Sequence, residues 1–225
     1  MHLPPQPPRR ERNAQETQRR ILDAAGAEFA AKGFDGARLG NIARHAGVQQ
    51  ALIHHYFEDK AHLYAEVLRL GLEAMTKGVW ELLDQMGISS KTRAKERLTP
   101  GDIRILAEIF IDMLFDFYSS NGVFLAIVSH ESHTNGELAR RALTDNVRPL
   151  FDAIVARIEE LGAQGEVRSD VDARNLVLSC VAMVAFAFQQ ESFVTALWPV
   201  AIKEPAFIHH RKSVLVQMIL DHLLR

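Results

Sequence analysis

The sequence predicts an all-α protein. Apolar residues recur along most of the chain at the three- and four-residue spacing of amphipathic helices. Alternation with a period of two and repeats of solenoid length are both absent from the sequence. With 225 residues, 48% of them hydrophobic, the chain has enough material for one large or two small domains with a buried core.

Composition and charge exclude several classes of protein. Cys180 is the single cysteine, which excludes an internal disulfide. The longest apolar run, in Leu176–Phe188, is shorter than the roughly 18 to 20 residues that span a bilayer, so it predicts a buried helix. The net charge is −2, and the basic excess is confined to residues 1–64, which hold nine Lys and Arg against seven Asp and Glu. We expect a cytoplasmic protein, since no signal peptide pattern is present.

About nine helices are predicted from periodicity, glycines, prolines and capping residues. Gly33 ends the first helix in the left-handed conformation and allows Phe34 to pack back on Phe29. Asp59 is placed to cap the fourth helix, and Thr99-Pro100 starts the fifth. The predicted helices span residues 15–32, 39–46, 50–57, 59–86, 101–119, 123–131, 136–161 with Pro149 kinking or restarting it, 172–196 and 206–224.

Residues 39–57 have the pattern of a helix-turn-helix. Ala43 is small, as the crossing of two steeply inclined helices requires, and Gly47 supplies the positive φ that the turn needs. The positions that point into a three-helix core are all apolar or aromatic: Ile42, Ala46, Val48, Ile53 and Tyr56. The joint pattern is more specific than any of its parts and predicts DNA binding; a purely structural three-helix unit is the alternative.

The exposed residues of this unit have the chemistry of a DNA reader. The amides of Gln49 and Gln50 donate and accept together, which suits an adenine edge in the major groove. His54 and His55 can reach a base or a phosphate oxygen, or lie on the solvated surface. The predicted DNA-binding residues are Arg38, Arg44, Gln49, Gln50, His54, His55 and Lys60. Arginines of the basic, proline-rich tail are further candidates for backbone or minor-groove contacts.

The runs Gly33–Val48 and Ile53–Phe57, with Lys60 and Leu63, make the chain similar to the N-terminal domain of TetR/AcrR-type transcriptional regulators. The similarity extends from Ile21 to Val67. It implies a disordered tail at 1–14, a DNA-binding domain at 15–60 and a larger helical ligand-binding and dimerisation domain at 61–225. It also implies that Lys60 binds a phosphate, and that an effector releases a homodimeric repressor from a pseudo-palindromic operator. The similarity says little about the effector; the aromatic and methionine side chains described below indicate a small apolar or amphipathic molecule.

The chain departs from the family pattern at three places. The family usually has Thr or Ser at the positions of Ala37 and Gln49, where these side chains cap the second and third helices. A missing cap costs about 0.5 to 2 kcal/mol unless another group replaces it, and Asp35 is a candidate for the first. His54 and His55 stand where the family often has paired tyrosines.

Aromatic and methionine side chains beyond residue 100 either fill the core or line an effector cavity. Because polar groups are interspersed among them, they suggest a largely apolar pocket with a few orienting groups. The predicted pocket residues are Phe110, Met113, Phe117, His130, Met183, Phe186, Gln189 and Phe193.

The last two predicted helices are apolar over more of their surface than one chain can cover. This predicts a two-fold dimer through a four-helix bundle. The predicted interface residues are Val177, Val181, Val184, Val214, Leu215, Met218 and Ile219.

Enzymatic and metal-binding signatures are weak in the sequence. His130 and His133 share a helix face but lack both the HExxH spacing and an obvious third ligand. No Ser-His-Asp or glycine-rich phosphate signature is visible, so we expect no enzyme, no cofactor and no metal. The alternative is a small-molecule-binding protein or enzyme with a vestigial helix-turn-helix. Cys180 lies among aliphatic residues and is expected to be a small buried hydrophobe.

Overall fold

The structure is a computed structural model that describes residues 9–85, 97–132 and 136–224. Within these ranges the chain forms ten α-helices and no strand, which confirms the predicted all-α class. The helices are α1 (Arg9–Gly36), α2 (Leu39–Ala46), α3 (Gln50–Phe57), α4 (Lys60–Gln85), α5 (Pro100–Ser120), α6 (Gly122–Ser132), α7 (Glu137–Ala163), α8 (Ala173–Gln189), α9 (Glu191–Leu197) and α10 (Pro205–Leu224).

The helices form two compact units. Unit 1 consists of Met1–Gly71 and Val123–Ala142, and unit 2 of Leu72–Gly122 and Leu143–Arg225. These units differ from the ranges 15–60 and 61–225, which describe expected functions, because α6 joins the N-terminal unit. In the parts of the chain that are described, no single helix has the length and apolar character of a membrane span.

Two element boundaries differ from the sequence prediction. The first helix begins at Arg9 rather than at Gln15, since strong helix formers follow directly after Pro8; Met1–Pro8 lies outside the described residues. The predicted helix 172–196 is two helices, α8 and α9, bent by 84°. The break is at Gln190, whose φ of −116° and ψ of 37° leave the helical region.

Of the kink or restart predicted at Pro149, the restart is wrong, because α7 continues through this residue as one helix. Two predicted capping residues are confirmed. Asp59 accepts a hydrogen bond from the His62 amide at 2.9 Å, at the start of α4. Thr99 caps α5, and Asp102 completes a capping box by accepting from the Thr99 amide at 2.8 Å.

The core of unit 1 joins α1 to the helix-turn-helix. Ile21, Ala25 and Phe29 of α1 are fully buried, as are Ile42 of α2 and Ile53 of α3. The five predicted core positions of the helix-turn-helix all turn inward, although Val48 and Tyr56 are only half-buried. α6 packs in the same unit, where Phe124 contacts Gly71 of α4 so closely that a Cβ there would lie 2.4 Å from its ring.

α1 breaks at Gly33, beneath a histidine of α6. Gly33 has φ 67° and ψ −179°, a region that is open essentially to glycine alone, rather than the predicted left-handed helical conformation. A Cβ at Gly33 would lie 2.3 Å from Cε1 of His130. The predicted return of Phe34 onto Phe29 is confirmed, since their rings stack with centroids 6.4 Å apart.

Glu28 joins α1 to the start of α2. Its carboxylate, on a side chain 5% exposed, accepts hydrogen bonds from Asn41 Nδ2 and Lys32 Nζ, both at 2.9 Å, and from the Arg38 amide at 3.4 Å. The N-cap residue of α2 is Arg38 rather than Ala37, and it makes no side-chain capping bond; its own amide donates to Glu28. The bond from Asn41, followed by those from Lys32 and Arg38, holds the pKa of Glu28 below its ordinary value despite burial.

The core of unit 2 is built from α5, α8 and α10. Ile111, Val184 and Leu215, one from each helix, are fully buried in it. Cys180 is buried in the same cluster, as predicted, and burial raises the pKa of its thiol to about 11.

We expect Gly33→Ala to lower the free energy of unfolding by more than Gly165→Ala. Both glycines have positive φ, so each substitution costs backbone strain, of about 1 to 2 kcal/mol for a left-handed residue and about 1 to 3 kcal/mol in the glycine-only region of Gly33. A Cβ at Gly165 meets no atom within 4 Å, whereas one at Gly33 meets the His130 ring, which adds about 1 to 3 kcal/mol. Denaturant unfolding of both variants measures the difference. Equal losses would contradict the packing of His130 on Gly33.

We expect Glu28→Gln to reduce the sensitivity of the protein to acid. Because the folded pKa of Glu28 lies below the value of 4.5 for a free carboxyl, its bonds stabilise the fold above that pH. This contribution is lost as the pH falls through the folded pKa. At neutral pH, the free energy of unfolding of Glu28→Gln should be about 1 kcal/mol below that of the parent. On acidification, the variant should lose less of its free energy of unfolding than the parent loses. The matched control is Glu16→Gln, which changes an exposed carboxylate of α1. Parallel pH profiles of stability for parent and Glu28→Gln would refute this role.

Candidate nucleic-acid interface

α2 and α3 are joined by a tight turn, which packs the recognition helix α3 against α2. Gly47 has φ 66° and ψ 38°, which confirms the predicted positive φ, and the following amide of Val48 donates to Ala43 O at 3.0 Å. Ala43 is 5% exposed at the contact between the helices, where a larger side chain would separate them. The arrangement is that of a helix-turn-helix.

The outer face of this unit is polar and basic. We call it the recognition surface, defined by six side chains that were predicted as DNA contacts and that lie exposed on α2, at its start or on α3. They are Arg38, Arg44, Gln49, Gln50, His54 and His55. All six therefore lie exposed on α2, at its start, or on or just before α3. Their contacts with DNA stay predictions.

Two members of the recognition surface are oriented by neighbours. Arg44 Nη2 donates to Asn41 Oδ1 at 3.1 Å. His54 Nδ1 lies 2.8 Å from Glu58 O, and with the proton on Nδ1 the other ring nitrogen, Nε2, is left as an acceptor toward solvent. Glu58 itself has a positive φ of 60°, so the bond from His54 supports a strained turn at the end of α3.

Lys60 differs from the other six predicted DNA contacts because it is half-buried. Its Nζ donates to Ala37 O at 3.2 Å and Asp35 O at 3.4 Å, and it lies 4.6 Å from the centre of the Phe34 ring. These contacts join the start of α4 to the connection between α1 and α2. Lys60 therefore stabilises this connection, whether or not it also binds a phosphate.

α3 begins without a side-chain cap, as predicted from Gln49. Gln49 has the extended backbone of an N-cap residue, but its side chain makes no capping bond. The side-chain amide of Gln49 is therefore not engaged at the helix start. A position that ordinarily serves helix stability thus presents a donor and an acceptor to solvent.

Glu28 and Asn41 support the recognition surface and were missed from the sequence. Glu28 lies three residues after Ala25 and one before Phe29, on the buried stripe of α1. A carboxylate on an apolar stripe is a signal of a buried polar network, because a buried charge requires partners. That signal was available, but its partner on α2 could not be known without the fold.

Glu131 of α6 is a second buried carboxylate of unit 1. It is 8% exposed, and its Oε1 accepts from the Phe34 amide at 3.1 Å, just after the break in α1. Burial and the nearby Glu131 carboxylate raise the pKa of the Tyr64 phenol. The adjacent His130, predicted to line an effector pocket, packs on Gly33 in unit 1 instead. His133 lies outside the described residues, and those that are described hold no metal-binding group of three or more His, Cys, Asp or Glu.

A cavity of about 110 Å³ lies in unit 2. Phe110 is the one predicted pocket residue among its lining. Of the others, Met113 packs near Val79 and Leu150, Phe117 and Met183 are packed in the helical core, and Phe186, Gln189 and Phe193 are exposed. The cavity is lined by Val79, Ile103, Leu106, Ala107, Phe110, Ile154, Arg157, Ile158, Leu161, Val167, Leu176, Val177, Cys180, Ile219 and Leu223.

The residues predicted for a dimer interface separate into two sets. Val177, Val184, Leu215 and Ile219 are at most 5% exposed within a single chain, because they lie on the inward stripes of α8 and α10. Val181 is half-buried. Val214 and Met218 are exposed on α10, at 37% and 50%. On α8, the exposed face carries Leu178 and Phe186 instead of the predicted Val177 and Val184.

Comparison with known proteins gives matches along most of the chain. The family described as "Bacterial regulatory proteins, tetR family" matches residues 21–67, and "Tetracyclin repressor-like, C-terminal domain" matches residues 108–219. HTH-type transcriptional regulator AcrR of Shigella flexneri is 31% identical over 56% of this chain, and the match spans 54% of AcrR, about half its length. HTH-type transcriptional repressor SCO4008 of Streptomyces coelicolor is 29% identical over 78% of this chain and 80% of its own.

Solved structures share the fold. FadR from Bacillus subtilis, in complex with stearoyl-CoA, superposes with a TM-score of 0.63 at 15% identity and covers 91% of this chain and 98% of its own. PfmR of Thermus thermophilus, a TetR family transcriptional regulator, gives a TM-score of 0.60 at 16% identity, with 91% and 99% covered. Together with the two family matches, these findings show that the chain belongs to the TetR family of bacterial transcriptional regulators.

Proposed function

We propose that this protein is a homodimeric repressor that binds a pseudo-palindromic operator and releases it when a small apolar or amphipathic effector binds unit 2. The observation that carries the proposal is the recognition surface, on which amide and basic side chains lie exposed over a helix-turn-helix with a buried apolar core. Such a surface suits the major groove, which admits one helix and presents donors and acceptors on every base pair.

The side chains of the recognition surface divide between reading bases and holding phosphates. Gln49 and Gln50 lie exposed in the first turn of α3 or just before it, the part of a recognition helix that reaches base edges. Arg38 and Arg44 flank them, at the start of α2 and on it, and suit phosphate oxygens through charge-assisted bonds. Base contacts set the preferred sequence, whereas phosphate contacts set position and the dependence on salt.

The exposed apolar face of α8 and α10 supports the dimer. Leu178 and Phe186 on α8 are 60% and 55% exposed, and Met218 on α10 is 50% exposed. α8 and α10 pack side by side within unit 2, where Arg211 Nη2 approaches Met183 O at 3.4 Å. A second copy of the chain would cover both helices at once, as a two-fold four-helix bundle requires. The proposed interface therefore consists of Leu178, Phe186, Val214 and Met218 rather than the inward-facing valines.

Effector binding acts through a change in the populations of two conformers. The cavity of unit 2 is lined almost entirely by apolar side chains, so it suits an apolar ligand. FadR, a structural neighbour, holds stearoyl-CoA. α4 and α7 each contain residues of both compact units, so they are candidates for the elements through which a ligand in unit 2 acts on unit 1. The effector shifts the equilibrium only if it binds the released conformer more tightly.

We expect Gln50→Ala to lower the preference for operator over random duplex, whereas Arg38→Ala weakens binding to both about equally. A glutamine side chain makes two hydrogen bonds to a base edge, and their loss removes about 1 to 3 kcal/mol of discrimination between sequences. A guanidinium bound to a phosphate carries no sequence information. Competition binding at several salt concentrations measures both. Equal losses on the two duplexes for Gln50→Ala would remove it as a base reader.

We expect Leu178→Glu to convert the dimer into monomers and to weaken operator binding. Burial of an unpaired carboxylate at the two-fold axis is unfavourable, and each chain contributes one. Ile105→Glu is the matched control, since Ile105 is 53% exposed on α5, a helix outside the proposed interface. Sedimentation equilibrium reports the oligomeric state. A Leu178→Glu protein that sediments as the parent does would rule out this face.

A further inference from the structure

An arginine of α1 lies beside the turn of the helix-turn-helix. A Cβ placed on Gly47 would lie 3.6 Å from Nη1 of Arg20, so the guanidinium is in contact with the turn between α2 and α3. Both residues are exposed. Arg20 belongs to neither helix of the helix-turn-helix, and it reaches the turn only because α1 packs against α2.

The charge of Arg20 has no partner in the parts of the chain that are described. The adjacent Arg19 pairs with Glu16, with 3.3 Å between Nη2 and Oε1. By contrast, the Arg20 guanidinium makes no ion pair or hydrogen bond with any described residue. Residues 36–57, which include α2, the turn and α3, contain no Asp or Glu. No carboxylate of the helix-turn-helix therefore competes with an external anion for this cation.

Arg20 lies close enough to the predicted base readers to reach the edge of the groove that they enter. Gly47 precedes Gln49 by two residues, and consecutive Cα atoms are about 3.8 Å apart. The guanidinium therefore lies within roughly 13 Å of the Gln49 backbone. The major groove is about 12 Å wide, and the phosphates of the two strands border it. With Gln49 at a base edge, Arg20 lies at the distance of a backbone phosphate.

We propose that Arg20 binds a phosphate of the operator backbone, at the edge of the groove that α3 enters. This inference rests on the proposed function and adds to it a DNA contact on α1, outside the recognition surface. A guanidinium suits this contact because it can donate two parallel hydrogen bonds to the oxygens of one phosphate. Since phosphates carry no sequence information, Arg20 fixes the position of α1 on the duplex and leaves base preference to α3.

The test compares two adjacent arginines of α1 by salt titration of the full-length protein on a selected operator and on an unrelated duplex. Arg20→Ala should weaken binding to both duplexes by about the same factor, roughly threefold to thirtyfold at physiological salt. The slope of log K against log salt should become less steep by about one for each chain, because fewer counterions are released. Arg20→Lys keeps the charge and should keep the parental slope. Arg19→Ala is the matched control and should retain both parental affinity and slope.

Three results would overturn the proposal. They are parental affinity and slope in Arg20→Ala, a loss of affinity with an unchanged slope, and equal losses in Arg19→Ala and Arg20→Ala. An unchanged slope would mean that Arg20 acts only by packing on Gly47. Arg20→Gln removes the charge but keeps most of the side chain, so it decides the question if Arg20→Ala loses helicity. A parent that binds neither duplex refutes the proposed function as well, whereas operator binding that Arg20→Ala leaves unchanged refutes this inference alone.

Discussion

The buried carboxylate of Glu28 is the interaction on which the DNA-binding unit depends. It lies on the apolar stripe of α1, and it receives Asn41 and the amide of Arg38 where α2 begins. Because a buried charge without partners is unfavourable, these bonds stabilise the carboxylate in the interior of the unit. They set the start and orientation of α2, and the tight turn at Gly47 then sets α3. The position of the recognition surface thus depends on Glu28, which is buried and lies outside that surface.

The second buried carboxylate of unit 1 connects the recognition unit to α6. Glu131 accepts from the amide of Phe34 after the break at Gly33, where the His130 ring takes the space a side chain would need. α6 follows α5 directly along the chain, and α5 lines the cavity of unit 2. Three continuous segments, α4, α5–α6 and α7, therefore lead from cavity residues to the DNA-binding unit. The chain thus continues from α5 into α6, and the hydrogen bond of Glu131 and the packing of His130 connect α6 to the break in α1.

The sequence was most informative where backbone geometry restricts residue type. Gly47, Ala43 and the apolar positions of the helix-turn-helix were predicted because the turn and the helix crossing exclude other residues. The bend at Gln190 was missed, since no glycine or proline marks it. The inward and outward faces of α8 were also confused, because both are apolar and periodicity cannot tell a core stripe from a partner stripe.

The most direct test of the account is selection of random duplex DNA by the purified ligand-free protein, followed by a salt titration on the enriched sequence. Two copies of the recognition surface related by a two-fold axis predict an enriched pseudo-palindrome. Its half-sites should be about 34 to 36 Å apart, one helical turn, with affinity that falls steeply as salt rises. Enrichment of a single half-site would contradict the dimer, and a complete lack of enrichment at low salt would contradict DNA recognition by this surface.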